Sequence, residues 1–219
     1  STVGLISTFG DPNSDDNAST HGVDFRHRTD KIFGNKIFEA NAALLSSHNS
    51  EAKDGSAFSI ELLYPNDLIN AGATYYRIDD TFDPKLGYVR RNGVNKFQNH
   101  LSWQPRFNNS EIVRQAFLSY TNSIYTALGG GGETMENGLV VPRIVFESTD
   151  EIFLKYSHFT DNPDFDFFVP GAGIIPQGDY KWNAITFGGG LSNKRKLGAT
   201  AGLTLHDDWY DWKRTDYRL

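Results

Sequence analysis

The chain has 219 residues, 38% hydrophobic and 14% aromatic, with 21 glycines, no cysteine and a formal net charge of −6. Without cysteine there is no disulfide framework, thiolate metal site or cysteine nucleophile, and the acidic balance with no basic stripe argues against nucleic acid as a partner. No apolar run approaches the roughly 18 residues of a membrane helix, which excludes helical spanning only, because a barrel crosses with strands of about 9–11 alternating residues.

The alternation begins at once. Val3, Leu5 and Phe9 open a strand-like segment, so the natural start is expected upstream. A polar stretch, 10–21, reads as a loop. In Gly22–Lys31, Val23 and Phe25 oppose Asp24, Arg26 and Arg28, and a tight turn follows at 33–36. Phe38, Ala40, Ala42 and Leu44 oppose Glu39 and Asn41. Phe58, Ile60, Leu62 and Tyr64 oppose Ser59 and Glu61, and Ile69, Ala71, Ala73 and Tyr75 oppose Asn70, Thr74 and Tyr76.

The 79–92 stretch is rich in charge and turn formers and carries Pro84 and Gly87, so it reads as a long structured loop. Beyond it, Phe97, Leu101 and Trp103 face away from Lys96 and His100. Glu111–Thr126 reads as strand with an unclear facing. Val140, Ile144 and Phe146 are expected opposite Arg143 and Glu147, and Ile152, Leu154 and Tyr156 opposite Lys155. Tyr180–Thr186 and Leu197–Leu205 complete the pattern, and 207–219 has no clear element.

The pattern predicts about eleven strands. Long connections (10–21, 48–56, 79–92, 127–138, 160–179) alternate with short ones (33–36, 65–67, 106–110, 148–150, 192–196). If sequential strands pair antiparallel, all long connections fall at one end, as in outer-membrane barrels. The expected fold is therefore all-β: an antiparallel up-and-down barrel of outer-membrane type in a single domain over 1–219. Aromatics near strand ends, such as Tyr64, Tyr75, Trp103, Tyr120 and Tyr156, are candidates for interfacial girdles.

Three motifs carry a resemblance: Phe82-x-Pro84-x-x-Gly87-Tyr88-Val89-Arg90-Arg91, Gly22-Val23-Asp24-Phe25, and Ile175-Pro176-Gln177-Gly178-Asp179-Tyr180-Lys181-Trp182. In order and spacing they resemble the C-terminal region of the bacterial domain-of-unknown-function family number 5916. The resemblance implies an outer-membrane barrel, preceded in the family by a sandwich similar to family 9 carbohydrate-binding modules. That sandwich is absent here, and an odd strand count departs from the even counts of bacterial barrels. The chain is therefore expected to be a fragment of a longer one. The family offers no catalytic residues to carry over.

Candidate site residues follow from the expected lumen face: Asp24, Arg26, Arg28, Glu39, Glu61, Lys96, His100, Arg143, Glu147 and Lys155. Such a mixed-sign interior either binds a polar solute or pairs internally and plugs the lumen. In the long loop, Asp79, Asp80 and Asp83 with Arg90 and Arg91 suggest an ion-pair network that stiffens it. Asp161, Asp164 and Asp166 are hard-oxygen candidates for calcium, although their loop lacks the Gly and closing Glu of an EF-hand. No other cofactor is expected.

Gly129–Gly132 lacks the Lys-Ser/Thr of a phosphate loop, the six histidines have no zinc spacing, and no serine sits in a nucleophile elbow. No enzymatic activity is expected. The expected partners are outer-membrane lipid, glycans and other envelope proteins. The alternative is a soluble all-β carbohydrate-binding module or glycan-active enzyme, with Trp182, Trp209, Tyr210 and Trp212 stacking on sugars.

Overall fold

The computed structural model describes residues 1–32, 34–50, 53–130, 132–192, 194 and 196–218, and within strands the side chains of all of these but Asp15 and Asp16. Among them there are fourteen strands and no helix. In chain order they are β1 (Thr2–Asp11), β2 (Ser14–Ile32), β3 (Lys36–Asn49), β4 (Gly55–Pro65), β5 (Ile69–Ile78), β6 (Val94–Trp103) and β7 (Val113–Ala127). Then come β8 (Glu133–Phe146), β9 (Glu151–Asp161), β10 (Phe167–Val169), β11 (Gly173–Ile175), β12 (Tyr180–Gly190), β13 (Thr200–Trp209) and β14 (Trp212–Arg218).

Twelve strands form one sheet in the order β1-β2-β3-β4-β5-β6-β7-β8-β9-β12-β13-β14, while β10 and β11 pair separately. The sheet is an antiparallel up-and-down meander with β1 and β14 at its two edges. Among the described residues the sheet thus has twelve strands where about eleven were expected: Trp212–Arg218, read as having no clear element, pairs with β13 through Leu203↔Tyr217 and His206↔Arg214. Its alternating charges leave no apolar run for a hydropathy pattern to find.

Polar residues in strands caused the other corrections. Most of 10–21 is strand, because β1 and β2 continue to a tight turn at Pro12-Asn13, with the Asn13 amide donating to Asp11 Oδ1 at 2.8 Å. Met135–Gly138 is likewise strand, paired with Ser157–Thr160. In β8 the register shifts between Val140 and Arg143, so both residues pair on one face, with Lys155 and Phe153, and Leu139 takes the apolar face that Val140 was expected to hold. Phe33, Glu51, Ala52, Gly131, Asn193 and Arg195, all within expected turns or loops, lie outside the described residues.

By internal contacts the chain divides into two units: Ser1–Pro65, Gly72–Gln98 and Tyr125–Gly131 make the first, and Asn66–Ala71, Asn99–Ile124 and Gly132–Leu219 the second. Among the described residues neither has the apolar core of a two-layer sandwich. In the first unit the buried residues are mainly small or polar (Ala18, Thr20, Glu39, Ser47, Asn49), with Phe82 and Val94 as the large apolar ones. In the second, Ile175, Tyr180 and Trp182 form a compact aromatic cluster.

Candidate functional site

The strand register sorts side chains onto two faces. In the first unit, Val3 pairs with Phe25, Leu5 with Val23, Phe25 with Ala42, Val23 with Leu44, Leu44 with Phe58 and Ala42 with Ile60. Directly paired residues share a face, so these side chains make one apolar belt. The belt is exposed: Leu5 is 84% accessible and Leu44 51%. Toward the β1–β2 turn it gives way to Ser7, His21 and Ser46, with His21 Nδ1 3.0 Å from Ser7 Oγ. In the second unit Ile152, Leu154, Tyr156, Ile185, Phe187 and Leu205 repeat the arrangement and are all exposed.

Tyrosines border this belt, each tied to an asparagine on the next strand of the sheet. Tyr75 donates to Asn95 Oδ1 at 2.8 Å, Tyr120 to Asn137 Oδ1 at 3.0 Å and Tyr156 to Asn183 Oδ1 at 2.6 Å. An apolar ring with a hydrogen-bonded hydroxyl suits a boundary between an apolar and a wet medium.

The opposite face is polar. In the first unit Asp24, Arg26, Glu39, Asn41, Glu61 and Tyr76 line an open cleft of about 430 Å³. Arg26 donates to Glu39 at 2.8 Å, and Arg28 lies 3.4 Å from the other Glu39 oxygen. Glu61 accepts from Asn41 at 2.7 Å and Thr74 at 3.4 Å. The Glu39 side chain is 9% accessible while both arginines exceed half, so the carboxylate is held inside and the cations face outward. Lys96 lies over the Tyr76 and Tyr125 rings at 5.5 and 4.9 Å.

Five expected lumen residues therefore gather around one cleft, with Lys96 reaching it through Tyr76. Asn41, Thr74 and Tyr76 were missed, although their position opposite the apolar face of β3 and β5 marks them.

The remaining candidates belong to the second unit and are spread along it. His100 Nε2 lies 2.6 Å from Asn70 Oδ1, Arg143 pairs with Glu151 at 2.5 Å and lies over Phe117, and Lys155 pairs with Glu136 at 3.3 Å. Glu147 falls beyond the end of β8, in the turn before β9, so it is not a strand-face residue as expected. A second cleft of about 450 Å³ is lined by Glu151, Phe153, Thr186, Thr204, Asp216 and Arg218. Gly188 leaves room there for Phe153, whose Cζ lies 2.9 Å from where a Cβ would stand.

Each unit also has a long loop folded back onto its sheet. Loop 79–93 carries the Phe82/Pro84/Gly87/Tyr88/Arg90/Arg91 motif. Asp79 continues the strand pairing, its amide donating to Ser56 O at 2.9 Å while Ser56 Oγ donates to its carboxylate at 2.5 Å. The chain then turns onto the polar face. The Asp83 amide donates to Ser47 Oγ at 3.0 Å, and Asn92 donates to Phe82 O at 2.7 Å. Lys85 pairs with Asp83 at 2.8 Å and Asp11 at 3.5 Å, and the hydrogen bond to Asp83 raises its pKa.

Phe82 is 4% accessible and lies against Gly55, where a Cβ would come within 2.3 Å of the Phe82 amide nitrogen. Pro84 and Gly87 close a turn, with the Gly87 amide 2.6 Å from Pro84 O. Of the residues expected to form an ion network, Asp83 pairs with Lys85 and Asp79 with Arg77, neither of them an arginine of the motif, while Arg91 lies over the Tyr125 ring at 5.7 Å.

The 162–179 loop, which contains the β10–β11 hairpin, is held by rings. Phe159 and Trp182 stack at 5.0 Å, and Tyr210 lies 4.8 Å from Trp182, 4.9 Å from Tyr180 and 5.6 Å from Phe167. Tyr210 donates to Asp161 Oδ2 at 2.5 Å, and burial together with that carboxylate pushes its pKa up. Trp182 is buried, which removes it from the surface that sugar stacking requires.

Of the calcium candidates, Asp161 accepts from Thr134 and Tyr210, and Asp166 from the Gln177 amide. Among the described residues no three His, Asp or Glu side chains are grouped to hold a metal ion. No family model matches the chain, and no curated protein or solved structure is significantly similar to it.

Proposed function

We propose that this chain is a wall segment of an outer-membrane β-barrel, with its apolar belt on lipid and its charged face lining a lumen for polar solutes. The observation that carries this reading is the inverted burial: the apolar strand face is exposed, while the most buried side chains include Thr20, Glu39, Ser47 and Ser157. Soluble monomers rarely expose a contiguous apolar patch beyond a few hundred Å². Twelve strands, an even number, suit a bacterial barrel, and a nineteen-residue β2 is about twice the length a crossing requires. Tyr75, Tyr120 and Tyr156 suit the interfacial girdle.

The role of this segment is passage or docking of a solute, with glycans and other envelope proteins as partners consistent with the family resemblance. The cleft around Arg26, Glu39 and Glu61 is its binding candidate, and no catalytic group is assigned. The test is fractionation of native envelopes for the full-length protein, with gel mobility compared before and after boiling. Recovery in the outer membrane with a heat-shifted band is expected. Recovery as soluble protein with no shift would sink the proposal.

A further inference from the structure

We infer that loop 79–93 is an internal constriction, fixed across the polar face between the charged cleft and the wet end of the strands, and that it limits the size of solute reaching that cleft. The inference rests on the barrel reading above. Its seat is built on three strands in register: Thr20 pairs with Ser47, Ala18 with Asn49, and Ser47 with Gly55. By alternation these side chains share the face of Asp24, Glu39 and Glu61. All are small or short, and Ser47 is 0% accessible. The loop lies on Ser47, Asn49 and Gly55.

Three kinds of contact hold it there. The Thr81–Phe82 backbone runs through the space that Gly55 leaves open, Ser47 and Asn49 reach the Asp83 backbone at 3.0 and 3.4 Å, and Lys85 spans Asp83 and Asp11. A loop serving as an outward recognition surface needs none of these inward anchors. Leu86 and Tyr88, at 54% and 86% accessible, are left at its free side. The cleft residues Asp24, Ala43 and Ser59 lie on the same three strands, each four residues from a seat residue, or on the order of 13 Å along the strand. A solute moving along this face from the loop end meets the loop before it meets the arginines.

The experiment uses the full-length protein reconstituted in liposomes, with swelling measured in arabinose, sucrose and raffinose and conductance measured in planar bilayers. Gly55→Leu forces Phe82 off its seat. It is expected to raise raffinose entry several-fold with little change for arabinose, and to raise conductance at least twofold. Because these 219 residues hold no cysteine, Ser47→Cys with Asp83→Cys introduces a single thiol pair into this segment and gives a second test. A bridge between them is expected to form in air and to leave passage at the wild-type level.

Failure of that bridge to form would show that the loop is not seated and overturn the inference, whether or not Gly55→Leu folds. A heat-shifted, membrane-inserted Gly55→Leu protein with wild-type passage would also overturn it while leaving the barrel reading intact. Loss of insertion and of the heat shift in the wild type would instead remove the barrel reading.

Discussion

The two in-folded loops solve one problem with different chemistry. Loop 79–93 sits on small residues and is held by hydrogen bonds and Lys85, with a single buried ring, Phe82. Loop 162–179 is held by Phe159, Trp182, Tyr180 and Tyr210 packed on Phe167 and Ile175. Both seats lie on strand faces that are otherwise polar. A sheet whose apolar face is exposed has no ordinary core, and each unit buries apolar side chains under a loop instead. The first seat is directional and charge-sensitive, and the second rests on apolar area.

The largest separation is expected from Trp182→Ala. It should cost about 3–5 kcal/mol, as truncation of a buried aromatic does, and expose 162–179 to protease while 79–93 stays protected. Equal exposure of both loops would erase the distinction. Ser47→Ala acts on the other seat: it strands the Asp83 amide and should cost about 1–3 kcal/mol, read as faster hydrogen exchange within 79–93.

A pH titration sharpens the contrast. The Tyr210 pKa is raised in the folded chain by burial, then by Asp161. Its stabilising contribution is therefore complete below the unfolded value of about 10 and is lost as pH rises above that value and through the raised folded one. Wild-type 162–179 should loosen on alkaline titration, and Tyr210→Phe should flatten that response; an unchanged profile would remove Tyr210 as the cause. The smallest effect is expected from salt. Lys85 is solvent-accessible, so raising ionic strength should slightly increase exchange in 79–93 and leave 162–179 unaltered.

Much of the sheet was legible because period-2 alternation survives where one face is apolar. Phe58, Ile60, Leu62 and Tyr64 against Ser59 and Glu61 is such a case. Strand continued unseen where both faces are polar. Ser14–Thr20 and Trp212–Arg218 carry turn formers or charges, yet backbone pairing with neighbouring strands holds them extended. The short β10–β11 hairpin was hidden for a different reason: three-residue strands are too brief for any period to register.

The charged cleft was half-legible. Asp24, Arg26, Glu39 and Glu61 were visible as residues opposite an apolar face, whereas Tyr76 and Asn41 carry no charge to draw notice. The loop seat was illegible. Ser47, Asn49 and Gly55 come from two strands, and nothing in their local sequence says that a loop from another segment will lie on them.

The three tyrosine–asparagine bonds have a consequence for assembly. Each joins two neighbouring strands of the sheet: β5 with β6, β7 with β8, and β9 with β12. A slip of one residue would carry the tyrosine to the opposite face and leave its asparagine without the hydroxyl. Each bond is thus an alignment mark for its own pair of strands, and a misthreaded pair would be recognised by what its tyrosine cannot reach.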